Sequence, residues 1–303
     1  MKISIIIPTY NRNTILCNTL KSILSFKHQF DELLLIDQTK EHDEETKKYL
    51  DSLVSKNKIT YIFEEKPSTP NAKNIGIERS TGDILFFFDD DVEINEDTII
   101  SNLEILKNED IGGVTGRVII QNTDISGNIV LGNTVKAKNP LKSLIFFFLR
   151  KKASYVGLLG IISDFTGNKL LPTDTCIGCN MAFKKETLQK SGFFDTNFTG
   201  NAVREETDLS VRIRKAGYKI FYNPNASVIH YMNNSGGTRT EANEQYWYSL
   251  FKNQSYFYYK NFKFSFIHIY FLQFFDILRC KKTGLKPSLI FKKAFNEAKG
   301  LIN

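Results

Sequence analysis

The 303-residue sequence predicts an α/β fold, a mostly parallel β-sheet with flanking helices, followed by amphipathic helices at the C-terminal end. Three observations carry this expectation. Short apolar runs recur at residues 2–7, 33–36, 59–63 and 84–88. The segments between them show helical spacing or helix-start residues. Residues 246–303 differ in charge and aromatic content from everything before them.

Residues 2–7 are rich in β-branched side chains and stop at Pro8, which suits a strand buried on both faces. After Asn11, apolar Ile15, Leu16, Leu20, Ile23 and Leu24 repeat with helical spacing. Residues 33–36 form a second strand ending at Asp37, residues 41–54 a polar-faced helix, and residues 59–63 a third strand. Ser68-Thr69-Pro70 marks a helix start with Pro near the first turn, and that helix runs to Arg79. The fourth strand, residues 84–88, runs directly into Asp89, Asp90 and Asp91. Asn95, followed by Glu96 and Asp97, starts the next helix. This βαβαβαβ order implies parallel pairing, and ligands in such sheets collect at the carboxyl ends of the strands. Pro8, Thr9, Tyr10 and Asn11, then Asp37, then Asp89 to Asp91, all sit at such ends and line one crevice.

Composition sets the domain plan and excludes several classes. With 42% hydrophobic and 24% charged residues, the chain is neither disordered nor fibrous. No basic stretch followed by a long apolar run opens it, so no secretory signal is expected. The four cysteines are too few for a disulfide framework at this length. Cys176-x-x-Cys179 has metal or redox spacing but lacks a second pair. Residues 246–303 hold ten Lys or Arg against two Asp or Glu, and 17 of the 39 aromatics, whereas residues 1–245 are close to neutral. The division expected is a catalytic domain at 1–245 and a basic, aromatic tail at 246–303.

Three adjacent carboxylates after an apolar strand repel one another unless a cation neutralises them. Oxygen donors favour a hard ion, Mg²⁺ or Mn²⁺. A solvated acidic turn capping the next helix is the competing reading.

Here the motifs reach a resemblance. Ile5-Ile6-Ile7-Pro8-Thr9-Tyr10-Asn11, Asp37, Ala72-Lys73-Asn74-Ile75-Gly76 and Phe88-Asp89-Asp90-Asp91-Val92 resemble family 2 glycosyltransferases of the GT-A fold. Gly178-Cys179-Asn180-Met181-Ala182-Phe183, Glu205-Glu206-Thr207-Asp208-Leu209-Ser210-Val211-Arg212 and Ala226-Ser227-Val228-Ile229-His230 agree in order and spacing. The resemblance covers about residues 2–253 and implies inverting, metal-dependent transfer from a sugar nucleotide, with UDP the commonest nucleotide. It assigns Asp91, Asp89 and His230 to the metal. Pro8, Thr9, Tyr10, Asn11, Asp37, Lys73, Asn74, Asp89 and Asp90 go to the nucleotide side. Glu206 becomes the catalytic base, with Glu205 as its competitor. Two departures stand out: Lys73 where the family often has Arg, and Glu206 where it usually has Asp. Asp208 and Arg212, four residues apart, read as an architectural ion pair. Residues 121–174 form an insertion that shapes the acceptor side. The setting implied is bacterial surface-polysaccharide assembly, with a glycan or lipid-linked acceptor.

A nucleotidyltransferase also combines a parallel sheet, acids and a metal, but its phosphate loop is usually Gly-rich, and residues 8–12 contain no glycine. An inactive sugar-nucleotide-binding relative is the other alternative. A processive synthase would add long spanning helices and a Gln-x-x-Arg-Trp motif, neither of which is found. The tail's apolar runs fit a membrane better than nucleic acid. A helix over residues 264–278 would span roughly 22 Å against a hydrocarbon core of about 30 Å, so it would lie in the interface rather than cross. Ser265, His268, Gln273 and Asp276 would form its polar strip. Packing on the catalytic domain or dimerisation is the competing reading. Residues 144–149, followed by Arg150, Lys151 and Lys152, would add a second contact. The location expected is cytoplasmic, peripheral at the inner face of the cytoplasmic membrane.

Overall fold

The computed structural model describes residues 1–123, 129–133, 168–231 and 243–302. Most of the predicted insertion, including residues 144–152, lies outside these.

Strands β1 (Ile3–Thr9), β2 (Glu32–Asp37), β3 (Thr60–Phe63) and β4 (Ile84–Phe88) run parallel in the order β3-β2-β1-β4. Helices α1 (Thr14–Ser25), α2 (Glu44–Ser55) and α3 (Thr69–Arg79) connect them. Alternate side chains of each strand enter opposite cores. Ile5, Ile7, Leu33, Leu35, Phe86 and Phe88 pack with α1, α2 and α4 (Glu96–Leu106), whereas Ile6, Leu34, Ile36, Leu85 and Phe87 pack with α3. Burial on both faces explains why these runs carry no polar alternation. Side chains cap the helices where the sequence offers them. The Asp43 carboxylate accepts from Thr46 N–H at 2.7 Å, Ser68 Oγ from Asn71 N–H at 3.4 Å, and Asn95 forms a reciprocal box with Thr98.

The second half adds β5 (Val92–Ile94), β6 (Ile111–Thr123), β7 (Ile129–Asn133), β8 (Leu171–Pro172), β9 (Asn180–Lys184) and β10 (Lys219–Tyr231). The main order becomes β3-β2-β1-β4-β9-β6-β10-β5. β10 runs parallel to β6, but β9 lies antiparallel between β4 and β6, and β5 antiparallel to β10. The sheet is therefore mixed. Parallel pairing holds for β1 to β4, where helical crossovers join successive strands. At Gly116 a Cβ would lie 1.9 Å from the Ala226 carbonyl oxygen and 2.3 Å from Asn180 Nδ2, so only glycine lets β6, β9 and β10 close there.

Helices α5 (Lys185–Ser191) and α6 (Glu205–Lys215) cover the second core through Leu188, Leu209 and Ile213. The Asp208–Arg212 pair forms at 2.9 Å, and Arg212 also donates to the backbone carbonyls of Ser191, Gly192 and Phe193. The tail forms α7 (Glu244–Phe262), α8 (Phe266–Leu272), α9 (Phe274–Lys281) and α10 (Pro287–Gly300) around a third core that includes Phe198, Trp247, Phe251, Phe257 and Phe291. α7 is tied to α6, because Lys260 Nζ reaches both Asp195 and Asp208, at 2.7 and 2.9 Å.

The single helix expected over residues 264–278 is instead two, divided at Gln273. The reason is polar: Gln273 is fully buried and donates to Ser255 Oγ of α7 at 3.1 Å. Asp276 accepts from Gln254 of α7 at 3.1 Å. Half of the strip expected to face water thus turns inward, and apolar Ile267 (64% exposed), Phe271 (71%), Phe274, Phe275 and Leu278 face outward. Among the described residues, no helix is long and apolar enough to cross a membrane.

Candidate active site

A cavity of about 410 Å³ opens at the carboxyl ends of β1 and β4. Its walls bring together Pro8, Thr9 and Tyr10 at the end of β1, Lys73 of α3, Asp89 to Asp91 after β4, Glu205 and Glu206 of α6, and His230 near the end of β10. These positions span more than two hundred residues of chain.

The acids are the centre of the arrangement. β5 starts directly after them and pairs antiparallel with β10, which sets His230 opposite Val92. His230 Nε2 consequently lies 3.0 Å from Asp91 Oδ1. Asp90 turns toward β1 and accepts from Thr9 Oγ1 at 2.6 Å. Burial and the neighbouring Asp91 push its carboxyl up to about 7, against the pull of Arg12. Arg12 was not anticipated. Buried behind the acids, it donates from Nη2 to Asp91 Oδ2 at 2.9 Å and places Nε 3.3 Å from Asp90 Oδ1. The signal was present, since Arg12 follows the Pro8–Asn11 stretch and would meet any acids at a neighbouring strand end. Part of the cation that three carboxylates require is therefore built into the chain.

The donor set also fits a divalent ion. Asp89, Cys179 and His230 each offer one ligand atom, and these lie within 4.8 Å of one another, with Asp91 beside His230. Cys179 is the other residue that sequence reasoning left aside.

Also lining the cavity, Lys73 Nζ donates to Glu205 Oε1 at 2.5 Å, both side chains buried. Burial alone presses the Lys73 ammonium down, but Glu205 and Asp89 more than offset it, and its pKa stands raised. Burial pushes Glu205 up to about 7, with Lys73 pulling the other way. Glu206 is half-buried in the cavity wall, and its pKa is also raised, by burial first. Ala202 and Arg204 hold positive φ at the entry to α6, a strained turn that aims the first helical residues at the cavity. Acids in this first turn suit the helix N-terminus.

Three predicted residues do not line the cavity. Asp37 is fully buried and already accepts from Thr39 N–H at 2.8 Å and Tyr61 Oη at 3.0 Å, with His42 Nε2 at 2.6 Å. Asn74 braces the backbone of Phe194, donating at 2.8 Å and accepting at 2.9 Å. Asn11 is exposed at φ 52° and donates its N–H to Thr39 Oγ1, shaping the turn after β1.

Residues 4–191 match the family model described as glycosyl transferase family 2. Among curated proteins, the chain is 23% identical over 225 residues to poly-beta-1,6-N-acetyl-D-glucosamine synthase of Staphylococcus aureus (strain COL), covering 73% of this chain and 48% of that protein. The chain thus spans about half the length of the curated relatives it matches. Among solved structures, it resembles the mannosyltransferase PcManGT from Pyrobaculum calidifontis, in complex with GDP-Man and Mn²⁺. There the TM-score is 0.57 and the identity 16%, over 98% of this chain and 73% of that one. It also resembles GalNAc-T7 with UDP, GalNAc and Mn²⁺, at a TM-score of 0.55 and 14% identity, over 85% of this chain and 50% of that one. These likenesses show the GT-A fold.

Proposed function

Because the chain belongs to glycosyltransferase family 2, we propose that it is an inverting enzyme that moves a sugar from a nucleotide-diphosphate donor, with UDP as the nucleotide, to a hydroxyl of a glycan or lipid-linked acceptor. The observation that carries this reading is the shared cavity of about 410 Å³, which Glu206, the acids and His230 line together. The relatives' names support a setting in surface-polysaccharide synthesis.

The roles follow from the chemistry of transfer. Asp91 and His230, with Asp89, would hold a divalent ion, Mg²⁺ or Mn²⁺, which when bound stabilises the charge developing on the diphosphate leaving group. Pro8, Thr9 and Tyr10 form the wall on the nucleotide side, and the turn set by Asn11 and Asp37 holds that wall in shape. Glu206 takes the proton from the acceptor hydroxyl as its oxygen attacks the anomeric carbon from the face opposite the leaving group. Lys73 keeps Glu205 occupied and sets a positive charge near Asp89 and Glu206.

The tail belongs to the same reading. Gln273 and Asp276 bond to α7, while α8 and α9 turn apolar side chains outward, with Lys263, Arg279, Lys281, Lys282 and Lys286 exposed around them. An apolar face rimmed by cations matches an anionic lipid surface, where a lipid-linked acceptor is presented.

The test is a donor screen with the purified chain across UDP-, dTDP- and GDP-sugars, reading nucleoside diphosphate release and the anomeric configuration of the product. Acceptor-dependent release of UDP with an inverted linkage is expected. Release of pyrophosphate would mean nucleotidyl transfer instead, and a retained linkage would remove the single-displacement role given to Glu206.

A further inference from the structure

Cys179 stands directly before β9, in the cavity wall near Asp89 and His230. It is buried, and its Sγ belongs to the group of ligand atoms from Asp89, Cys179 and His230 that lie within 4.8 Å of one another. The nearby Cys176 is no partner for it. Cys176 packs into the core on the α3 side of the sheet, whereas Cys179 packs into the core on the α1 side, and the four cysteines form no disulfide. The Cys-x-x-Cys spacing is thus incidental, and what surrounds Cys179 at the cavity is a carboxylate and an imidazole.

We propose that Cys179 is a direct ligand of the divalent ion, beside Asp89 and His230, and that its sulfur tunes the centre toward Co²⁺ or Zn²⁺ and away from Mg²⁺. The proposal rests on the metal reading given above. Carboxylates and water suit Mg²⁺, but a thiolate does not, while affinity for N, O and S donors rises along the first-row divalent series. On binding, the S–H bond breaks, the sulfur lone pair forms the bond to the metal, and the proton leaves to solvent, with no change of oxidation state. The other cysteines cannot supply this sulfur. Cys17 packs against Thr46 of α2, Cys176 lies on the other face of the sheet, and Cys280 is in the tail core.

The experiment is optical titration of the full-length chain with Co²⁺ under reducing conditions. Visible d–d bands report that the ion is bound, and a near-ultraviolet thiolate-to-metal charge-transfer band reports sulfur in its shell. Both are expected for the unmodified chain. The near-ultraviolet band should be lost in Cys179→Ser and kept in Cys176→Ser, and Mg²⁺ should displace Co²⁺ more readily from Cys179→Ser. Visible bands without the near-ultraviolet band in the unmodified chain would overturn the role of Cys179 and leave the metal reading standing. Absence of both would overturn the metal reading along with it. The unmodified spectrum decides the matter even if Cys179→Ser fails to fold, and Cys179→Ala gives a second variant.

Discussion

Lys73 and Glu205 form a buried ion pair at 2.5 Å that joins α3 to the first turn of α6. Both adjacent glutamates line the cavity, but Glu205 is held by this cation, which is why the proposed reading gives the base role to Glu206. Glu206→Gln keeps the shape and loses the basicity, so turnover is expected to fall on the order of 10²-fold or more with donor affinity little changed. Glu205→Gln weakens a charge-assisted bond instead, at about 1–3 kcal/mol of stability. Melting curves above neutral pH and single-turnover rates on both variants check the assignment. A dead but stably folded Glu205→Gln beside a normal Glu206→Gln would move the base by one residue.

The pH profile supplies a second test. Burial, opposed by Lys73, raises Glu206 above the ordinary glutamate value of 4.5. A base must be ionised, so activity is absent below the raised value and grows as pH rises through it. The acid limb of kcat/KM is therefore expected above the normal carboxylate range, and Glu206→Gln should remove it. A limb at the ordinary value would show that a solvated carboxylate is the base.

The parallel strands and the strand-end acids were legible because they are local: a β-branched run, a cap and an Asp cluster are each visible within a dozen residues. Arg12 and the Lys73–Glu205 pair were not, since their partners lie 79 and 132 positions away and depend on which strand ends meet. His230 became a candidate only by resemblance, and its reason is the antiparallel β5–β10 pairing, which nothing local announces. In the tail the polar strip was readable but its direction was not. Gln273 and Asp276 find hydrogen-bond partners on α7, and a buried polar group with a partner is stable where the helical projection alone would place it in water.

Arg12 makes a third prediction possible. It donates to Asp91 while His230 approaches the other oxygen, so the carboxylate is balanced by the Arg12 guanidinium and by any ion the site holds. Asp91→Asn should fold and lose most transfer activity, and exhaustive chelation should do the same to the unmodified chain. Arg12→Leu leaves buried carboxylates short of a counter-charge and should cost about 3–5 kcal/mol. Because an ion that binds only the folded state stabilises it, Mn²⁺ should raise the melting temperature of Arg12→Leu more than that of the unmodified chain. Full activity after chelation, or equal Mn²⁺ shifts in both proteins, would contradict this balance.

The last prediction concerns the outward apolar face of α8 and α9. Ile267 and Phe271 are one helical turn apart and among the most exposed large apolar side chains in the described residues. Leu289, 63% exposed at the start of α10, extends the apolar surface of the tail. Each exposed Lys or Arg around them would gain roughly 1 kcal/mol near an anionic surface, and that gain is screened by salt. The full-length chain is therefore expected to float with anionic liposomes at low salt, to float less at high salt, and to stay soluble with neutral ones. Ending the chain near Asn243 is a poor control, because Phe251, Phe257 and Tyr258 of α7 are buried in the third core. Ile267→Glu combined with Phe271→Glu changes only exposed positions, so it should leave melting unaltered and abolish flotation. If both proteins float equally, the α8–α9 face is not the contact. If neither floats and the unmodified chain self-associates with concentration, that face joins two copies of the chain and the lipid reading fails.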